Sequence, residues 1–304
     1  MTAYDVICPL LPLGLVLANE PMCRHTSFKI GGPAEVFVTP CNSGQLADVW
    51  QACQKAGYSV TVLGGGNNVL VSDAGVRGVV ITTGQMNEIK IDGVTITAGS
   101  GTKLCKLAEA ACKAGLGGLE FAHGIPGTVG GAVYMNAGAY YHEIRDVCES
   151  VTVMLPCGEI VCYKKEALAL GYRTSRFQNE TAIILEASFR LEIKNPNEIR
   201  DKMDDLMVRR RSTQPLNKKS AGSTFKRPAV QDKYAARLID ESGLKGFTIG
   251  GAQVSDKHAG FVINTGSATA ADVLALMDAV REKVHADSGI WLEPEVQMIG
   301  FEKS

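Results

Sequence analysis

Glycine is concentrated in one stretch of this chain. Of the 33 glycines among 304 residues, seventeen fall between positions 64 and 138. Their spacing is irregular, which excludes a collagen-like repeat. Many apolar residues are interleaved with them, which excludes a disordered linker. Backbone stripped of side chains inside a folded domain is backbone that lies close to something, and a bound cofactor is the first candidate.

The kind of cofactor can be narrowed by the glycine motifs that fail. A dinucleotide fingerprint needs G-x-G-x-x-G between a strand and a helix. Gly64-Gly65-Gly66-Asn67-Asn68-Val69 follows a strand pattern, but valine holds the third glycine position and an apolar stretch follows instead of a helix. Gly99-Ser100-Gly101-Thr102-Lys103-Leu104 leads into a helix pattern, but leucine closes it. No G-x-x-x-x-G-K-[ST] loop is present either. What remains is four glycine turns at strand ends, around positions 64–66, 99–101, 124–131 and 138. Successive N–H groups in such turns form anion-binding nests, and a diphosphate is a natural guest. Asn67 and Asn68 tolerate left-handed backbone and add amide donors and acceptors. The competing reading is four ordinary tight turns.

The rest of the chain reads as a mixed fold. Helical spacing of apolar residues appears at Leu46, Val49, Trp50 and Cys53, at Leu104, Leu107, Ala111 and Ala114 before Gly115, and at Ile199, Met203, Leu206 and Met207 up to an arginine run. It appears again at Tyr234, Leu238 and Ile239, and at Val273, Leu276, Met277, Val280 and Val284. Strand patterns occupy residues 35–39, 59–63, 78–82, 94–98, 150–155, 159–163, 182–193, 247–249 and 261–264. Strands and helices do not alternate strictly, so α+β is favoured over a doubly wound sheet. The polar turn Lys194-Asn195-Pro196-Asn197 is the natural domain boundary, with a weaker division near Gly84.

With 31 Lys+Arg against 32 Asp+Glu, charge gives no case for nucleic acid or a membrane surface. Nine cysteines without a C-x-x-C pair, and five scattered histidines, suggest neither a metal site nor a disulfide framework, and fit free thiols in the cytoplasm. Residues 6–18 are apolar, but Asp5 stands where an export signal would be basic and Pro9, Pro12 and Gly14 interrupt the run. An extended segment packed on the first domain is expected there.

Six motifs, in order along the chain, resemble the UDP-N-acetylenolpyruvoylglucosamine reductases. They are His25-Thr26-Ser27-Phe28-Lys29-Ile30-Gly31-Gly32-Pro33-Ala34, Leu63-Gly64-Gly65-Gly66-Asn67-Asn68-Val69-Leu70, and Gly124-Ile125-Pro126-Gly127-Thr128-Val129-Gly130-Gly131-Ala132 continuing to Asn136-Ala137-Gly138-Ala139-Tyr140. Gly171-Tyr172-Arg173-Thr174-Ser175, Ser220-Ala221-Gly222-Ser223-Thr224-Phe225-Lys226 and Leu292-Glu293-Pro294-Glu295-Val296 complete the set. The resemblance implies an FAD-binding domain of the vanillyl-alcohol-oxidase (PCMH) type, made of two α+β subdomains at residues 1–83 and 84–195. A C-terminal α+β substrate domain would occupy residues 196–304. It also implies reduction of UDP-N-acetylglucosamine enolpyruvate to UDP-N-acetylmuramate for peptidoglycan, with NADPH reducing FAD. The path from Phe189 to Ser223 lacks a tyrosine, like the shorter of the family's two types. Monomer and dimer both stay open.

Reducing an enolpyruvyl ether adds a hydride at one carbon and a proton at its neighbour, so the site needs an anion clamp and a proton donor. By resemblance, Ser223 donates the proton and Arg173 clamps the developing enolate and carboxylate through its planar fork. Glu293 is the acidic partner, with Glu295 its competitor. Without the resemblance Ser223 reads as a turn serine and Arg173 as a surface arginine. The cofactor contacts implied are Gly64, Gly65, Gly66, Asn67, Asn68, Gly99, Gly101, Gly124, Ile125, Pro126, Gly127, Gly130, Gly131, Ala132, Asn136 and Gly138. Lys218, Lys219, Lys226 and Arg227 flank Ser223 and either meet the substrate diphosphate or form a solvated basic turn. Gln214, with Arg210, would border flavin or substrate, and His258 hydrogen-bonds or packs near the cofactor. Two positions depart from the family pattern: His123 stands where a small residue is usual, and Tyr141 where glycine is usual.

Overall fold

The computed structural model describes residues 2–301. Its packing separates into two compact units that are discontinuous in sequence. The first comprises the described residues of Met1–Asn19, with Glu35–Gly65 and Gly78–Arg210; the second comprises Glu20–Ala34, Gly66–Arg77 and the described residues of Arg211–Ser304.

The first unit has two cores. In one, the helix Ser43–Ala56 buries its stripe Leu46, Val49, Trp50 and Cys53 with Val36, Val38, Val79 and Ile81. Asn42 starts this helix by accepting a hydrogen bond from Gln45 N–H, a cap worth about 1 kcal/mol. The strand Val60–Leu63 pairs parallel with residues 79–82 and delivers the chain to Gly64. The other core lies against an antiparallel five-stranded sheet, ordered Ile160–Lys164, Cys148–Met154, Ile183–Arg190, Thr95–Gly99, Ile89–Asp92. The helices Leu104–Lys113, Val129–Tyr134 and Pro196–Thr213 contribute Leu104, Leu107, Ala111, Val129, Val133, Ile199 and Met203 to it. Each large apolar side chain buried this way contributes roughly 1.5–3 kcal/mol.

The second unit holds an antiparallel four-stranded sheet, ordered Lys219–Ser220, Val262–Asn264, Ala252–Val254, Thr248–Ile249. The helix Ala270–Ser288 packs Val273, Leu276, Met277, Val280 and Val284 into its core. A Thr269/Asp272 capping box begins that helix and Gly289, at φ 72°, ends it. A two-stranded parallel ladder joins Val69–Val71 to Gln297–Ile299, which fixes the chain on either side of residues 70 and 298.

Four local expectations are corrected. The segment at 6–18 is not extended throughout: Thr2 and Asp5 form a capping box that starts a helix at Ala3–Ile7, followed by a 3-10 turn Cys8–Leu10 and the strand Val16–Pro21. The helix reaching the arginine run continues through it to Thr213, two residues before Pro215. The strand pattern at 182–193 breaks after Arg190, and Glu192–Ile193 turns away to pair with Leu116–Gly117. The turn at 194–197 lies inside the first unit, because Ile199 and Met203 beyond it pack into that unit's core. All nine cysteines are free. Among the described residues, no helix is long and apolar enough to cross a membrane.

Candidate functional site

In the first unit, two glycine turns are fastened to each other by backbone hydrogen bonds. Val129 N–H donates to Thr102 O at 2.8 Å, Gly130 N–H to Ser100 O at 2.8 Å, and Leu104 N–H to Gly127 O at 3.1 Å. The turn after the strand Thr95–Gly99 and the turn before the helix Val129–Tyr134 thereby form one surface. Gly64 reaches the same place, since a Cβ on it would sit 2.7 Å from Thr128 Oγ1. A Cβ on Gly130 would sit 2.9 Å from Ser100 Cβ.

Three hydroxyls lie within these turns. Ser100, Thr102 and Thr128 are buried, and Ser100 Oγ, Thr102 Oγ1 and Thr128 Oγ1 have no hydrogen-bond partner among the described residues. An unmet buried hydroxyl costs about 1–3 kcal/mol, so three in one place point to an acceptor that is not protein. Gly131 is exposed, and a Cβ there would meet nothing closer than 3.8 Å. Bare backbone beside unpaired hydroxyl donors fits the diphosphate of a dinucleotide cofactor. The three hydroxyl residues are not singled out by the sequence reading; the signal that could find them is the alternation of glycine with Ser or Thr in Gly-Ser-Gly-Thr and Gly-Thr.

Other glycines of the set have a plainer cause. A Cβ on Gly99 or Gly101 would run into the Met86 or Thr83 carbonyl, so protein packing alone demands glycine there. Gly124 lies against Arg210: a Cβ would come within 3.1 Å of Arg210 Cδ, and burial pushes that guanidinium's pKa down. Ile125 is half-buried against the core, while Pro126 is exposed beside Gly127. Ala132 is buried.

Asn136 is fully buried and serves as a clamp within the protein. Its amide donates to Glu143 Oε2 at 3.0 Å and Gly171 O at 2.8 Å, and its oxygen accepts from Arg145 N–H at 2.9 Å. The clamp holds a tight turn closed by reciprocal hydrogen bonds between Gly171 and Thr174, at 3.1 and 3.2 Å. Arg173 stands on that turn with φ 58°, its guanidinium donating to Gly138 O at 3.4 Å and lying 5.0 Å from the centre of the Tyr172 ring.

In the second unit, residues 224–226 run antiparallel to residues 293–295. Lys226 N–H donates to Glu293 O and Glu295 N–H to Thr224 O, both at 2.8 Å, around a Phe225–Pro294 bridge. Thr224 and Phe225 are buried and fix this pair, whereas Ser223 at its edge is exposed. Glu293 is exposed, with Lys226 Nζ 3.5 Å from its carboxylate. Thr224 N–H also donates to Gly260 O, and Gly260 N–H to His258 Nδ1 at 3.2 Å. Burial lowers the His258 pKa below its usual 6.5, which favours the neutral ring that can accept this bond.

The remaining second-unit residues are distributed as follows. Gly66, at φ 64°, leaves no room for a Cβ beside the His25 carbonyl, and Ser27 N–H donates to its oxygen at 2.9 Å. Asn67 is half-buried, and Asn68 Nδ2 donates to Glu295 O at 3.0 Å. Lys218 and Lys219 are exposed, and Arg227 lies over the Tyr234 ring at 4.3 Å. Gln214 Oε1 is buried without a partner among the described residues. In the first unit, His123 Nε2 lies 3.8 Å from Glu109, and Tyr141 is wholly exposed at φ 66°.

Known proteins resemble the chain over nearly its whole length. Residues 34–163 match the FAD binding domain family, and residues 214–299 match the C-terminal domain of UDP-N-acetylenolpyruvoylglucosamine reductase. The UDP-N-acetylenolpyruvoylglucosamine reductase of Clostridium botulinum strain Hall is 47% identical over 289 residues, 95% of this chain and 94% of that protein. Its namesake from Clostridium kluyveri is 47% identical over 93% of this chain and 92% of its own. The crystal structure of UDP-N-acetylenolpyruvylglucosamine reductase from Thermus caldophilus is similar at TM-score 0.80 and 35% identity, covering 93% of this chain and 98% of that one. The BBE-like 1 protein of Physcomitrella patens shares the fold alone, at TM-score 0.50 and 16% identity over 63% of this chain and 44% of its own.

Proposed function

The chain belongs to the UDP-N-acetylenolpyruvoylglucosamine reductase family, and on that premise we propose how its residues carry out the reaction and that NADPH supplies the electrons. It is an FAD-dependent oxidoreductase with an α+β FAD-binding domain, and it reduces UDP-N-acetylglucosamine enolpyruvate in peptidoglycan precursor synthesis. Residues 1–83 and 84–195 supply the two FAD-binding subdomains, except that residues 20–34 and 66–77 group with the substrate domain and residues 196–210 pack with the FAD-binding part, so that the C-terminal stretch of the substrate domain begins at Arg211. The enzyme works in the cytoplasm on a small nucleotide sugar, as a monomer or a dimer.

FAD, when bound, supplies the hydride that the enolpyruvyl double bond takes up. Gly64, Gly65 and Gly131, with Ser100, Thr102 and Thr128, would hold its diphosphate through backbone N–H and hydroxyl donors, while Gly130, whose N–H is already given to Ser100 O, would only keep side-chain bulk away. The net reaction consumes one NADPH and one proton, and the carbon–carbon double bond becomes single. Negative charge develops next to the substrate carboxylate, and the Arg173 guanidinium holds that charge with paired donors. The Ser223 hydroxyl delivers the proton to the neighbouring carbon. Glu293 orients the hydrogen bonds of the enol, with Lys226 holding its carboxylate. Lys218, Lys226 and Arg227 meet the substrate diphosphate, and Gln214 borders the substrate.

The observation that carries this reading is the antiparallel pairing of residues 224–226 with 293–295, which sets the Ser223 and Glu293 segments side by side. The test uses the purified holoenzyme without oxygen. NADPH should bleach the flavin absorbance, and the enolpyruvyl nucleotide should then restore it. Ser223→Ala should leave the bleaching intact and slow the recovery by about 10²–10⁴-fold, the range for lost acid catalysis. Equal loss of both half-reactions would make Ser223 structural.

A further inference from the structure

Arg173 adopts a conformation that an arginine does not prefer. At φ 58° it lies in the left-handed region, where the Cβ of a non-glycine residue crowds the backbone. A strained residue persists only where its surroundings over-determine it. The two hydrogen bonds closing the Gly171–Thr174 turn do not fix the Arg173 carbonyl. That carbonyl is held by Gln178, whose Nε2 donates to Arg173 O at 2.9 Å.

The same nitrogen donates to Tyr134 O at 3.0 Å, and Ser175 Oγ donates to that oxygen at 2.7 Å. Tyr134 is the last residue of the helix Val129–Tyr134, which begins at the Gly127-Thr128 turn. Its carbonyl is one of those a helix end leaves without an intrahelical partner. The two amide hydrogens of Gln178 thus join the peptide of Arg173 to the helix that follows the cofactor motif. Both are donated, and neither acceptor could be served by a carboxylate or an alkyl group in that place.

We propose that Gln178 is the positioning residue for Arg173: by donating to the carbonyls of Arg173 and Tyr134 at once, it holds the strained turn in register with the cofactor-binding helix, so that the guanidinium meets the substrate carboxylate. This rests on Arg173 being the clamp for that carboxylate.

The test compares Gln178→Met, which keeps the side-chain volume but removes both donors, with Gln178→Lys, which keeps donors. Arg173→Lys serves as the reference. For each holoenzyme the melting temperature, the rate of flavin reduction by NADPH, the rate of reoxidation by the enolpyruvyl nucleotide and the Kd of that nucleotide for the oxidised enzyme are measured. Misplacing a reacting group by about 1 Å can cost about 10²-fold. Gln178→Met should therefore slow reoxidation by about that factor and weaken nucleotide binding. Flavin reduction should stay within about two-fold of wild type, because the cofactor turns are untouched. Gln178→Lys should recover most of the reoxidation rate. Wild-type reoxidation in Gln178→Met overturns the proposal. So does a loss shared equally by both half-reactions, with a lowered melting temperature that Gln178→Lys does not repair. Wild-type reoxidation in Arg173→Lys would instead refute the clamp itself.

Discussion

Thr128 is 6% exposed and its hydroxyl meets no acceptor or donor among the described residues. In a protein that bound nothing there, valine would be the better residue, since it has nearly the same shape and no unmet polar atom. Selection of threonine at such a cost makes sense when a bound group accepts the hydrogen. Thr128→Val should therefore separate two quantities that usually fall together. The protein stripped of FAD should melt at the wild-type temperature or a few degrees higher, about 2–4 °C for each kcal/mol in a chain of this size. FAD should bind about 10- to 10²-fold more weakly, because a hydrogen bond to a charged acceptor is worth about 1.5–3 kcal/mol. Calorimetry on the stripped protein and fluorescence titration with FAD read the two effects. A lower melting temperature with unchanged FAD affinity would mean that the hydroxyl serves the fold.

At the scale of elements, the short hairpin joining Gly138–Ala139 to His142–Glu143 carries strain. Tyr140 and Tyr141 both have positive φ, at 55° and 66°, a two-residue turn in which Asn-Gly is preferred. Tyr140 is compensated by its hydroxyl, which donates to Leu206 O at 2.8 Å. Tyr141 is wholly exposed. Tyr141→Gly should raise stability by about 1 kcal/mol, the left-handed penalty less the entropy glycine loses on folding. A thermal melt and steady-state turnover check this; turnover should not change, and a lowered melting temperature would show that the ring has a structural role. This turn is visible in the sequence only as a departure at position 141, because Tyr-Tyr gives no turn signal. Legibility follows period elsewhere too. The stripe from Leu46 to Cys53 and the one from Val273 to Val284 each span more than one helical repeat and lie where expected. The three-residue strands Val69–Val71 and Gln297–Ile299 are too short to show alternation, and their pairing joins residues far apart in sequence. Asn136 reads as a cofactor contact because it sits in a glycine motif, but its three hydrogen bonds reveal a clamp that only the fold brings together.

At the scale of the whole molecule, the chain passes between its two units five times, so neither is a continuous stretch. Residues 66–77 belong with the C-terminal part although they follow Gly64-Gly65 directly, and the parallel pairing of Val69–Val71 with Gln297–Ile299 explains why. A cofactor motif read along the sequence is thus divided at Gly65, and the proposed catalytic residues are divided likewise, with Arg173 in the first unit and Ser223 and Glu293 in the second. This division has a thermodynamic consequence. A ligand stabilises the native state by RT ln(1 + [L]/Kd), about 2.7 kcal/mol at a free concentration of one hundred Kd. The gain appears first in the elements whose opening exposes the ligand's partners. Adding FAD to the stripped protein should slow amide exchange most at residues 99–104 and 124–134, which contain the three unpaired hydroxyls and the mutually bonded turns. Exchange in the strands Ala252–Val254 and Val262–Asn264 should change little at that step. The enolpyruvyl nucleotide, added afterwards, should slow exchange at residues 219–227 and 291–297, where Ser223 and Glu293 lie on paired segments. Mass spectrometry of exchanged peptides resolves both steps. Equal slowing of both groups of peptides by FAD alone would refute separate roles for the glycine turns and the Ser223–Glu293 segments.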